Sequence, residues 1–539
     1  MDYMDDEKYI LGLDIGNGYG YASVVQNPIT DPIPLLPASL ANLGMSTVAY
    51  VEAPSGEHIE VFSNGREAKR KFARTPQQLV HAVKTRLKEG TIAVPQVTEP
   101  VEVNRIYAAI VRDLLTLAEA ELANKGIPRI YDVVFTFPAS IADDVVMLDA
   151  MQKSIEQVVI DEKPIRVLGR IPEPAAVALD YLHYMQHVAP EQIRIKKKDF
   201  TVLVYDLGHG TFDTAVVTAQ SEGTPYKLHL KDGLEQVGGK DFDELLFREI
   251  LSLLQKKYQF SPSNERQREE IRQEAVNAKI ALSDTESYTA TILNQEGEYY
   301  QVELTRERFE KLGQYLVYQT LEMVWKMLEQ ANADGLSIDA VVLAGGASKI
   351  PMIRENLEVL LEKKCPVVMH RPSEAVAYGA ALFAYGIAQQ EKKLEQKAEV
   401  PGEKKAVIQT ANPVLEQLTD CCYGIWYPSE EKLEGEIKFL IKNGQSRPCS
   451  AAPVPFVSQS SRVVFRIYKS RKKNQELEKA DMQECDSILW IPFEVKKGLK
   501  YRLTLTALEN YGLQAELRSD EGDYYKKTTA DTWEVLTGK

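Results

Sequence analysis

Val202-Leu-Val-Tyr-Asp206-Leu-Gly208-His209-Gly210-Thr211-Phe-Asp213-Thr-Ala-Val-Val217 is the stretch on which the reading turns. An apolar run ends in Asp206, a glycine-rich turn follows, and a second apolar run leaves it. The pattern predicts a β-hairpin with a polar tip. Gly208 and Gly210 leave backbone N–H groups uncovered by a Cβ, which suits a phosphate. The carboxylates at this tip would repel a nucleotide unless a cation stands between them. Mg²⁺ held through water fits that place, because it dehydrates reluctantly.

The hairpin has a copy near the start of the chain. Asp14-Ile-Gly16-Asn17-Gly18-Tyr19-Gly20-Tyr-Ala-Ser-Val-Val25 aligns without gaps on Asp206 to Val217, with Asp, Gly and Gly coinciding. The separation is too long for a solenoid repeat. It suggests two related halves, each offering a phosphate hairpin to one cleft. Two unrelated β-turns are the alternative, since Asp-x-Gly is ordinary turn chemistry.

A chain of 539 residues exceeds one core and implies two to four domains. Its 44% hydrophobic and 26% charged residues are those of a soluble globular protein. A net charge of −14 argues against nucleic acid, which calls for a basic face. The acidic start Met1-Asp-Tyr-Met-Asp-Asp-Glu does not read as a secretory signal. No apolar stretch is long enough to span a bilayer, so a cytoplasmic location without membrane contact is expected. The five cysteines form no C-x-x-C pair, so neither a disulfide framework nor a zinc site is expected. Cys421-Cys422 reads as a redox pair or, on composition, as two small apolar residues.

Taken in order, residues 64–90 look helical and hold Lys84. Residues 101–125 carry helical apolar spacing, and 131–139 read as a buried strand stopped by Pro138. In Ile171-Pro-Glu173-Pro174-Ala-Ala, Pro174 suits a first helical position. Glu173 falls at the cap, either orienting water or simply capping the helix. A basic loop precedes the second hairpin, and Val237-Gly238-Gly239-Lys240 then opens a helix to Leu253, an anion site or a plain loop. Residues 265–283 and 309–331 read as helices. Ala340-Val-Val-Leu-Ala-Gly345-Gly346-Ala-Ser-Lys349 reads as strand, glycine turn and helix, without a P-loop pattern. Ser373 is the expected cap of the next helix. A charged linker with a helical start spans 391–405, and alternating strands follow it, consistent with a β-sandwich.

The order of motifs identifies a family. GLDIGNGYG, FTFPAS, IPEPAAVALDY, YDLGHGTFDTAVV, VGGKDFD, VLAGGASKIPMI and SEAVAYGAAL together resemble the Hsp70 (DnaK-type) chaperones, within the actin–hexokinase–Hsp70 superfamily. The resemblance implies an α/β fold. Residues 1–388 would form an actin-like ATPase domain of two duplicated lobes. Residues 389–411 would be a linker, and 412–539 a β-sandwich like the family's substrate-binding domain, here without a helical lid. It implies ATP or ADP with Mg²⁺ as cofactors, Asp14 and Asp206 facing the hydrated metal. Lys84 would reach the γ-phosphate and attacking water, Glu173 would help place that water, and Thr211 would join them. Gly16, Asn17, Gly18, Tyr19, Gly208, His209, Gly210, Gly238 and Gly239 would hold phosphates. Lys279, Ser283, Gly345, Gly346 and Lys349 would line the nucleoside pocket. Implied partners are an unfolded or extended peptide client, a J-domain co-chaperone and a nucleotide exchange factor.

Several positions depart from the family. Asn17 and Gly18 stand where two threonines are usual. His209 takes a glycine position whose turn is expected to need positive φ. Ile280 replaces an arginine that stacks on adenine, and Lys349 replaces another arginine. Weaker nucleotide binding or slower turnover is expected, and a lidless groove would exchange peptide quickly. Three functions follow: a slow chaperone ATPase, a nucleotide-sensing scaffold that docks a dedicated partner, or a small-molecule kinase or filament former on the same fold.

Overall fold

A computed structural model describes residues 9–27, 29–40, 44–52, 60–62, 76–142, 144–188, 199–220, 223–294, 297–398, 415–419, 421–427, 436–470, 487–508 and 512–528. The chain divides into two compact units. The first contains 1–141, 150–217 and 231–388; the second contains 142–149, 218–230 and 389–539.

The first unit holds the same sheet pattern twice. In one sheet the central strand Leu11–Ile15 has Asp132–Phe137 and then Arg166–Pro172 on one side, and its hairpin partner Tyr19–Val24 on the other. In the other, Asp199–Leu207 has Ala340–Ala344 and then Val367–Met369 on one side, and its hairpin partner Phe212–Gln220 on the other. The outer pairs are parallel in both sheets. Asp132–Phe137 and Ala340–Ala344 are buried along their whole length, as expected of strands covered on both faces. Asp14 and Asp206 therefore end equivalent central strands, where ligands of parallel sheets collect.

The helix Glu173–His183 explains why the two strand ends face one place. It packs on strands of both sheets and is buried from Pro174 to His183. The long helix Ala375–Ala398 is drawn in as closely. A Cβ on Gly379 would lie 1.8 Å from the Ala176 carbonyl oxygen. Ser23 Oγ donates to the Ala377 carbonyl at 2.7 Å.

The second unit is β-structured after residue 415. One antiparallel sheet orders Glu436–Ile441, Cys422–Tyr427, Arg462–Ser470 and Ser487–Glu494. The other orders Cys449–Ser450, Lys500–Ala507, Leu513–Ser519 and Tyr524–Thr528, with Val454–Val457 also on Lys500–Ala507. Residues of both sheets share one core, Tyr423, Ile425, Ile467 and Phe493 from the first and Tyr501, Leu503, Leu505 and Leu517 from the second. Strand alternation produces it: every second residue of Lys500–Ala507 is buried. In this unit Leu415–Gln417 pairs in parallel with Tyr226–Leu228.

Some expectations need correction. Among the described residues of 64–90 only Val83–Arg86 is α-helical, flanked by the 3-10 turns Pro76–Gln78 and Leu87–Glu89. The left-handed Ala82 (φ 52°) at its N-cap allows no earlier start. The helix expected to stop at Leu253 runs Gly239–Tyr258 and ends where Gln259 turns left-handed (φ 53°). Glu173 is the first helical residue and Pro172 the cap. Ser373 does not cap, because its helix begins at Ala375, which leaves Glu374 between them. Residues 1–8, 64–75, the basic loop at 194–198, the linker beyond Ala398 to 414, Cys485 and 529–539, which bear on a lid, lie outside the described residues.

Candidate active site: two hairpin tips over a buried acidic cluster

The two hairpins close their turns with the same bond. Gly16 N–H donates to the Tyr19 carbonyl at 2.9 Å, and Gly208 N–H to the Thr211 carbonyl at 3.0 Å. The tips then meet. The space beside the Gly210 Cα is filled by Asn17, whose Nδ2 would lie 2.6 Å from a Cβ there. The His209 ring packs in return against Gly18, 3.2 Å from a Cβ at that position. Asn17 Oδ1 accepts the Thr85 N–H at 3.2 Å, which ties the tips to the short helix carrying Lys84. A third loop backs the second tip: Gly239 N–H donates to Gly208 O at 2.9 Å and Lys240 N–H to His209 O at 2.8 Å. Gly345 closes the rear at φ +77°, where a Cβ would stand 2.6 Å from Asp206 Oδ1.

Behind the tips lies a cluster of acids. Asp14, Asp206 and Asp213 are 9%, 5% and 1% exposed. The Thr136 hydroxyl donates to Asp14 Oδ1 at 2.8 Å, and Ser140 N–H to Asp213 Oδ1 at 3.1 Å. The buried Lys84 forms an ion pair with Glu173. Burial, then the charge of Glu173, pushes Asp14 and Asp213 up to about 7. Burial and the charges of Glu173, Asp213 and Asp14 hold Asp206 well above the carboxylate range, against the pull of Lys84. For Lys84, burial opposes its charge, yet Glu173, Asp14 and Asp213 keep its pKa above the ordinary lysine value.

These shifts set a pH dependence. Carboxyls that hold protons more tightly folded than unfolded favour the folded state at low pH, and that stability is lost as pH rises from about 4 through about 7. Asp213→Asn cannot ionise. Its melting temperature relative to the parent, without metal or nucleotide, is therefore expected to climb between pH 5 and pH 8. A constant difference across that range would refute the assignment.

The Hsp70 family model, described as Hsp70 protein, matches residues 10–397. The chain belongs to the Hsp70 family. The chaperone protein DnaK of Mycoplasmopsis pulmonis (strain UAB CTIP) is 28% identical over 383 residues, 70% of this chain and 58% of that relative. The chain thus spans less than two-thirds of that relative's length.

Within this Hsp70-family fold the expected site residues separate into three groups. Asp14, Gly16, Asn17, Gly18, Lys84, Glu173, Asp206, Gly208, His209, Gly210, Thr211, Gly238 and Gly239 belong to the tips, the loop behind them and the acidic cluster. Lys279 joins them from the helix Glu265–Asp284, donating to Gly239 O at 3.0 Å and pairing with Asp243 at 2.7 Å. Tyr19 takes part through its carbonyl, Gly345 lies behind Asp206, and Ser283, Gly346 and Lys349 make none of the bonds between the tips. Ser283 Oγ donates to Lys279 O at 3.0 Å. Tyr19 is 49% exposed, and Gly346 and Lys349 are exposed on the turn Gly346–Lys349. Ile280 is 60% exposed.

The positive φ expected at His209 does not occur; its backbone lies outside the left-handed region. Desolvation, then Lys279, Lys240 and His81, pushes its imidazole down to about 4, so it is neutral at pH 7. Sequence reasoning missed Thr136, Ser140 and Tyr107. Thr136 and Ser140 sit in the quoted FTFPAS motif, so a polar residue at the end of an apolar strand was the available signal. Tyr107 sits among the apolar positions of its helix and carried none. Among the described residues no three of His, Cys, Asp and Glu stand close enough to hold a metal directly, and no helix is long and apolar enough to cross a membrane.

Proposed function

We propose that this Hsp70-family chain is an ATPase of the chaperone type, in which slow ATP hydrolysis governs the binding of extended polypeptide. The observation that carries the reading is the pair of equivalent hairpins ending in Asp14 and Asp206 over a buried acidic cluster that one lysine faces. A hydrated Mg²⁺ suits that donor set. The carboxyls are held toward their neutral forms in its absence, direct ligation by three side chains is not built, and two buried hydroxyls nearby lack partners among the described residues.

When bound, Mg²⁺ would neutralise phosphate charge and orient the phosphoryl group. Asp14 and Asp206 would accept hydrogen bonds from its waters. The backbone N–H groups of Gly16 to Tyr19, of Gly208 to Gly210 and of Gly238-Gly239 would cradle phosphates. Lys84 would leave Glu173 to meet the charge that builds on the transferred group, and Glu173 would then accept a proton of the attacking water. Thr211 would hold Asp213 in place. Lys279, Ser283, Gly345, Gly346 and Lys349 would line the nucleoside.

The two C-terminal sheets are read as a β-sandwich that takes an extended peptide along a sheet, through backbone hydrogen bonds and side-chain pockets. A J-domain co-chaperone, a nucleotide exchange factor and a cytoplasmic location go with this reading.

The test is single-turnover hydrolysis of Mg²⁺–ATP by the intact chain and by Asp206→Ala. A loss of about 10²-fold or more is expected, the scale of removing one preorganised electrostatic group. Equal rates would remove the assigned role. A second reading, a nucleotide-sensing scaffold with little hydrolysis, draws on Asn17 and His209 filling the space between the tips and on the exposed Ile280. Nucleotide binding with negligible turnover and no affinity for model peptides would select it.

A further inference from the structure

Two hydroxyls beside the acidic cluster, Tyr107 Oη and Ser140 Oγ, are buried without a hydrogen-bond partner among the described residues. Ser140 is part-buried as a residue, although its Oγ is covered. Tyr107 is 1% exposed. It lies on the helix Val103–Asn124, which packs on both the first hairpin's strand Tyr19–Val24 and the helix Val83–Arg86 carrying Lys84. Burial, then the negative charges of Asp14 and Glu173, pushes its phenol well above the ordinary tyrosine value. A buried donor without a partner costs about 1–3 kcal/mol and is rare in native proteins.

We propose that Tyr107 is a positioning residue of the nucleotide site, its hydroxyl donating to a water held at Asp14 and Glu173. This rests on the ATPase reading. Carboxylates accept hydrogen bonds and so fix only the protons of a water. A neutral donor is needed to engage one lone pair and leave the other aimed at phosphorus. A phenol supplies such a donor without adding charge, and here burial together with Asp14 and Glu173 keeps it protonated. The hydrogen bond forms when the site is loaded, which relieves the orphaned donor.

The experiment compares the intact chain with Tyr107→Phe, a change that keeps the ring. Three quantities are read: the melting temperature without ligand, its rise on adding Mg²⁺–ADP, and single-turnover hydrolysis across ATP concentrations. Expected are an equal or higher ligand-free melting temperature, a smaller rise with Mg²⁺–ADP, and a saturating rate about tenfold lower with half-saturation within about twofold. An unchanged rate and unchanged rise would overturn the proposal. So would a lower ligand-free melting temperature accompanying the loss, which would mark a packing role. Parent protein that shows neither a rise nor hydrolysis would sink the ATPase reading itself, and that outcome is visible before any variant is made.

Discussion

Lys84→Ala is expected to abolish most hydrolysis, lowering single-turnover rates by about 10²–10³-fold. Lys84 is 3% exposed, ion-paired to Glu173, and also faces Asp14 and Asp213. The charge that builds during phosphoryl transfer would have no mobile cation to meet it. A second consequence follows without any nucleotide. Removing one member of a buried pair leaves the other charge unmatched, which costs about 3–5 kcal/mol. Lys84 lowers the pKa values of Asp14, Asp206 and Asp213, so its loss moves all three further up. The folded variant then binds more protons than the parent near neutrality, and its stability deficit grows as pH rises. Lys88 is the control. It is exposed and pairs with Glu235 at 2.9 Å, and Lys88→Ala is expected to change stability by less than about 0.5 kcal/mol. Single-turnover assays with melting at pH 6 and pH 8 decide the matter. Equal losses from Lys84→Ala and Lys88→Ala would contradict the assignment of Lys84.

Gly379→Ala is expected to produce the largest loss of stability from a single added methyl. The built Cβ would stand 1.8 Å from the Ala176 carbonyl oxygen. No side-chain rotation relieves such a clash, because both partners are backbone. The helix Ala375–Ala398 would have to move off the helix Glu173–His183. Gly12 reports the same close approach, with a built Cβ 2.3 Å from Ala381 N. Overpacking ordinarily costs about 1–3 kcal/mol, and a backbone clash of this depth should reach or exceed that upper value. Gly346→Ala is the matched control, since it has no neighbour within 4 Å. Urea or thermal midpoints of the intact chain separate the two. Similar midpoints for both variants would show that the helices have room to part.

Much of this molecule was legible in its sequence because hairpins are local. Asp14 and Asp206 each precede a glycine turn by fixed spacing, so their likeness and their place at strand ends followed from the repeat alone. The alternating apolar pattern of Lys500–Ala507 was readable for the same reason. Lys84 was harder. Its surroundings looked like a long helix, whereas Val83–Arg86 is one turn held by a left-handed Ala82, a conformation that residue type does not announce. Ser373 looked like a cap, but the chain enters its helix only two residues later, at Ala375.

The sequence by itself determined the duplicated acidic hairpins, the strand and helix order around them and the family they belong to, since each depends on spacing within a few residues. Only the tertiary structure decided that Asn17 fills the space over Gly210, that Lys84 rests on Glu173, and that the Tyr107 hydroxyl is buried without a partner among the described residues. Such contacts join residues tens to hundreds of positions apart. They are set by which helix packs on which sheet, and no local pattern encodes that.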